Sequence, residues 1–172
     1  MPVFSEVKLL YRLTEHGPSN LKFHAQCDDQ GATLTLIKLR KGHIFGGFTN
    51  ESWDTEGGFR RDEKAYLFSL ADPHGRRPFI CPLKTGDDKL RAVFHGRKYG
   101  PIFGRQDLTI NLDKPEKSFS RLGLVYEMPP KIRKAKPESI LGGSFTDWDV
   151  EEVEVYAITV SFPKPRTFTP NF

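Results

Sequence analysis

Residues 31–53 read GATLTLIKLRKGHIFGGFTNESW, and their pattern decides the fold class. Thr33 to Leu39 is apolar almost throughout, as in a central strand covered on both faces. Lys41-Gly42 supplies a turn, and Ile44-Phe45-Gly46-Gly47-Phe48 supplies a return strand. The stretch is expected to be a β-hairpin. Its adjacent glycines let another element pack close, and Trp53 follows it.

Upstream, residues 6–13 (EVKLLYRL) form a strand or one helical turn, ended by His16-Gly17-Pro18. Ser19 or Asn20 then caps a helix to about Cys27, with Leu21, His24 and Cys27 as its inward stripe beside Phe23. Downstream, residues 49–64 read as a long polar loop. Ala65 to Leu70 is a strand, Asp72 to Gly75 a turn, and Phe79 to Leu83 an edge strand because of Pro82. Leu90 to Phe94 and Leu108 to Leu112 are strands around an ordered Gly-rich loop, residues 95–105. Ser118 to Tyr126 holds a further short strand. Val150 to Val160 is the last strand: Val153, Val155 and Ala157 share one face, Glu152, Glu154, Tyr156 and Ile158 the other.

About eight short strands with Gly/Pro turns predict a mostly β (α+β) fold. We expect a two-sheet antiparallel β-sandwich with one or two short flanking helices. The 172 residues suit one domain over 1–162, with a Pro-rich tail or linker at 163–172. A net charge of +4, from 26 basic and 22 acidic side chains, describes a mixed surface with a mild preference for acidic partners. It lacks the dense basic stripe of a nucleic-acid binder. Two cysteines without a Cys-x-x-Cys pair fit a reducing compartment. No apolar run reaches the ~18 residues of a membrane span, and residues 1–12 lack signal-peptide features. A cytoplasmic or nuclear location is expected.

Catalytic chemistry finds no motif. His24 and Cys27 have helical ligand spacing but no second pair, and His16, His43, His74 and His95 stand apart, so neither a metal nor another cofactor is expected. Gly142-Gly143-Ser144 is not a nucleophile elbow, and Gly96, Gly100 and Gly104 do not form a phosphate loop. Three binding or redox features remain. Glu152 and Glu154 sit about 7 Å apart on one strand face, where a Lys or Arg partner for one of them is expected. Lys131, Arg133, Lys134 and Lys136 form a basic cluster suited to an anionic surface. Cys81, on an edge strand, is a better sensing thiol than Cys27.

Several blocks in order resemble the TLDc domain: LLYR (9–12), FHAQCDDQGATLTLIK (23–38), HIFGGFTNESW (43–53), KAYLFSL (64–70), YGPIFGRQDLTI (99–110) and VEEVEVYAI (150–158). FHAQCDDQG is most similar to the protist, fish and interferon-induced forms of the family. The oxidation-resistance branch usually ends the last strand in Trp, where this chain has Tyr156. The resemblance implies the same two-sheet sandwich, a non-enzymatic interaction role and a link to oxidative-stress resistance. It also implies binding to the peripheral stalk of the vacuolar-type proton pump. By the same resemblance, Gly46, Gly47, Trp53, Gly100 and Gly104 are structural, and Asp107, Glu152 and Glu154 are contact residues. The redox module and the anionic-surface binder stand as alternatives.

Overall fold

The computed structural model describes residues 3–132, 136, 140–145 and 147–161; the Pro-rich tail and the Arg133-Lys134 pair lie outside them. The first sheet is built from β1 (Val3–Arg12), β2 (Thr33–Leu39), β3 (Ile44–Thr49), β5 (Tyr66–Ala71), β6 (Phe79–Pro82) and β10 (Val150–Ser161). The second has β4 (Gly58–Arg60), β7 (Val93–His95), β8 (Ile102–Phe103) and β9 (Leu108–Thr109). Their orders are β1-β10-β2-β3-β5-β6 and β4-β7-β8-β9, and every pairing is antiparallel. The predicted sandwich is what forms. Among the described residues, two α-helices flank it, α1 (Leu13–His16) and α2 (Asn20–Cys27). No helix among the described residues is long and apolar enough to cross a membrane.

The hairpin β2–β3 lies at the centre of the larger sheet; β3 is buried on both faces, but only one face of β2 is closed. Thr33, Thr35, Ile37 and Leu39 are buried, Leu34 and Leu36 are half-buried, and Lys38 is exposed. A continuous apolar run suggested two covered faces; the second sheet covers one, and Leu34 and Leu36 lie on a partly open outer face. The two glycines do different work. A Cβ on Gly47 would stand 2.6 Å from the Phe103 ring, so the missing side chain lets β8 settle onto β3. A Cβ on Gly46 would stand 1.8 Å from the Thr35 carbonyl oxygen, so there the backbone itself fills the space.

Trp53 joins the parts. Its indole N–H donates to Thr33 Oγ1 at 2.9 Å, and its ring meets Phe23 of α2 and Phe103 of β8 edge-on, with centroids 5.7 and 5.8 Å away. Asp28, just past α2, bridges to Trp53 in parallel. The stretch expected to be a loop, residues 49–64, therefore carries the central tryptophan and strand β4. That strand pairs Phe59 with Phe94.

Helix α2 starts as expected: Ser19 Oγ accepts from the Lys22 amide at 3.2 Å. Phe23, His24 and Cys27 turn inward, whereas Leu21 is exposed, so the buried stripe is narrower than its spacing suggested. Phe79–Pro82 is an edge strand, as Pro82 required.

Candidate functional site

A cleft of about 620 Å³ opens beside the second sheet and is shaped by α2. His24 Nε2 lies 3.0 Å from the Gly96 carbonyl and 2.8 Å from that of Tyr99, while its Nδ1 lies 2.7 Å from Asp28. Asn20 Nδ2 donates to the Lys98 carbonyl and to Asp113, and its Oδ1 accepts from the Leu112 amide at 2.9 Å. One helix face therefore clamps residues 96–100 and 111–113. Gly100 is needed between them, because a Cβ there would stand 2.5 Å from the Ile110 carbonyl. The cleft wall is aromatic and aliphatic: Phe59, Phe94, Tyr99, Ile102 and Phe119. Lys98, Arg105, Lys114 and Lys117 line it as well. Its acid, Asp113, is held by the Asn20 amide and side chain. An apolar wall edged with cations suits a hydrophobic anchor flanked by carboxylates.

Asp107 does not reach any such partner. It is fully buried, and its carboxylate accepts from the amides of Gly123, Leu124, Val125 and Tyr126 at 2.9–3.1 Å. Burial pushes its carboxyl up from the ordinary value, and the four amide donors oppose that shift. The contact role expected for Asp107 is replaced by a structural one: it folds the 123–126 turn around itself. Gly104 leaves room for it, with φ +66 and a would-be Cβ 2.2 Å from Asp107 Oδ2.

Glu152 and Glu154 of β10 are also engaged within the fold. Arg12 Nε donates to Glu154 at 2.9 Å and the Tyr156 hydroxyl donates to its other oxygen at 2.6 Å. Arg12 is thus the basic partner expected for one of the pair. Glu152 accepts from the Thr14 amide and hydroxyl. Both acids secure the junction of β1 and α1 against β10. Lys131 is exposed in a short 3₁₀ turn, Pro130–Ile132, and Lys136 is exposed; Arg133 and Lys134 lie outside the described residues.

Cys27 and Cys81 are free and both 0% exposed. The sensing role assigned to Cys81 assumed an edge position. β6 is an edge strand, but this side chain points inward beneath it. Burial pushes the Cys81 thiol up to about 12, with the Asp107 charge adding to the shift, and raises Cys27 further. Native protein at pH 8 should therefore consume essentially no Ellman's reagent within minutes, and two equivalents in guanidinium chloride. Rapid native labelling of either cysteine would contradict this placement.

The structure also brings together residues that stand apart in sequence. His43 and His74 meet beside Asp72, across neighbouring turns. The signal that could have found them is the β3–β5 register, which sets Ile44 opposite Ala71.

Fold and site together define an antiparallel two-sheet sandwich domain with an open, cation-bearing aromatic cleft. The chain belongs to the TLDc domain family, whose model matches residues 3–159. It is also similar to the MTOR-associated protein MEAK7 of Danio rerio, 36% identical over 74 residues, or 43% of this chain and 16% of that protein. The Mus musculus protein of the same name is 34% identical over 64 residues, or 37% of this chain and 14% of its own length. The chain thus aligns with a small part of these relatives.

Proposed function

We propose that this chain is a non-enzymatic interaction domain that binds a protein partner in the cleft beside the second sheet. The observation that carries this reading is the pairing of an aromatic wall with Lys98, Arg105, Lys114 and Lys117. The expected partner presents an acidic segment with an apolar anchor. Membership of the TLDc family makes the peripheral stalk of the vacuolar-type proton pump the first partner to assay, and oxidative-stress resistance the associated phenotype. The relatives' name adds mTOR as a second partner for the same assay. The kinship to protist and interferon-induced members rests on residues 23–31. The basic cluster at Lys131 is the weaker contact, because no aromatic residue is interleaved with its cations in the sequence.

The test is retention of purified stalk subunits on immobilised domain, wild type against Lys98→Glu/Lys114→Glu. Both lysines are exposed, so the variant is expected to fold. Retention should fall about tenfold or more, the effect of reversing charges that steer and hold an acidic partner. No retention by wild type removes the pump as partner. Equal retention by the variant moves the contact away from the cleft.

A further inference from the structure

The β2–β3 turn and the β5–β6 turn lie side by side at one end of the larger sheet. The would-be Cβ of Gly42 comes 3.8 Å from Pro73 Cβ. There, one ring nitrogen of His43, one of His74 and a carboxylate oxygen of Asp72 all lie within 4.8 Å of one another. A cavity of about 230 Å³ opens beside the two rings, lined also by Lys41, Ser144, Trp148 and Asp149.

His43 is the residue that needs a reason. It is 4% exposed, and its Nδ1 has no hydrogen-bond partner among the described residues. Buried polar atoms are nearly always satisfied, because an unpaired one forfeits the bond it makes in water. Space is kept for this ring: a Cβ on Gly143 would stand 2.9 Å from His43 Cε1. A ring wanted only for volume would serve better without an unpaired nitrogen. Asp72 is oriented by its neighbours. Its Oδ1 accepts the His74 amide at 2.7 Å, and its Oδ2 lies 3.4 Å from Arg76 Nε. Outer partners of this kind fix a ligating carboxylate.

We propose that His43, Asp72 and His74 form a binding site for a divalent transition-metal ion, Zn²⁺ foremost, that ties the two turns together. Two imidazoles and one carboxylate are a donor set such ions accept, whereas Ca²⁺ and Mg²⁺ favour oxygen alone. Bonds of ~2.0 Å in a tetrahedron set donors roughly 3.3 Å apart, so the cluster must tighten. His74 is exposed on its turn and is the arm that moves. The fourth position faces the cavity, where water or a partner's side chain completes it. Asp72 and Asp149 favour the cation, and Lys41 and Arg76 oppose it. Burial lowers the pKa of His43, against the pull of Asp72, and so keeps the ring neutral for ligation.

The experiment uses untagged protein and two probes. Co²⁺ should give visible d–d absorption at one equivalent. Zn²⁺ should raise Tm by about 5–10 °C at ~100 times Kd. His74→Ala, a surface change, should abolish both responses while leaving the metal-free Tm within about 2 °C of wild type. Absence of both signals in the wild type overturns the site. So does a His74→Ala protein that binds as tightly as the wild type, since the ion would then sit elsewhere.

Discussion

Asp107→Ala should cost on the order of 4 kcal/mol or more, because four amides lose their acceptor at once and each unsatisfied donor costs ~1–3 kcal/mol. The donors belong to Gly123, Leu124, Val125 and Tyr126, and the carboxylate they share is fully buried. Water cannot replace all of them without opening the turn. Typical domains hold ~5–15 kcal/mol in total, so this variant should be marginal at 37 °C. Damage should spread along two routes. Ser120 Oγ donates to the Asp107 carbonyl, and the Tyr126 hydroxyl donates to the Ala92 carbonyl next to β7. Asp107→Asn keeps one acceptor oxygen but turns an NH₂ toward amide donors, so it should recover only part of the loss. Guanidinium chloride unfolding of the three proteins measures this. A loss below about 1 kcal/mol for Asp107→Ala would show that the 123–126 turn is held by its other contacts.

Asp107 also shows where sequence reading stops. Its place in the YGPIFGRQDLTI block marked it as a position that matters, but burial leaves no mark on an aspartate in a linear sequence. Whether such a residue faces a partner or four backbone amides depends on a turn sixteen residues later. The larger sheet was legible because β2, β3, β5 and β10 are long enough to show apolar runs or alternation, and Pro82 betrayed an edge. The second sheet was legible only in part. β8 and β9 have two residues each and β4 three, too few for any period to appear. Phe103 of β8 is set by its packing on Gly47 of β3 and on Trp53, which no local preference announces. Helix α2 was legible through Ser19, yet the clamp it forms on residues 96–100 depends on His24 and Asn20 meeting carbonyls over seventy residues away. The His43–His74 meeting belongs to the same class. It follows from strand register, which spacing along the chain does not reveal.

Gly46→Ala should be the most damaging single methyl in the hairpin, costing about 3 kcal/mol or more, at or above the top of the ~1–3 kcal/mol typical of overpacking. Its Cβ would stand 1.8 Å from the Thr35 carbonyl oxygen, and that oxygen belongs to the neighbouring strand's backbone. No rotamer change removes the collision. Relief requires β2 and β3 to part where Thr35 faces Gly47 and Leu36 faces Gly46, in the middle of a six-stranded sheet. Gly47→Ala offers the internal comparison. There the methyl meets the Phe103 ring at 2.6 Å and a Leu67 methyl at 2.9 Å, both side chains that can shift, so a cost of ~1–3 kcal/mol is expected. The two variants add the same atoms to adjacent residues, so helix propensity, charge and composition cancel between them. Only the identity of the obstructing atom differs. Denaturant unfolding gives the ranking, and amide exchange at Leu36 and Ile37 should quicken for Gly46→Ala well beyond Gly47→Ala. If Gly47→Ala proves equally or more destabilising, the sandwich's grip through Phe103 outweighs the strand contact, and the double glycine serves the sheet-to-sheet fit above the β2–β3 ladder.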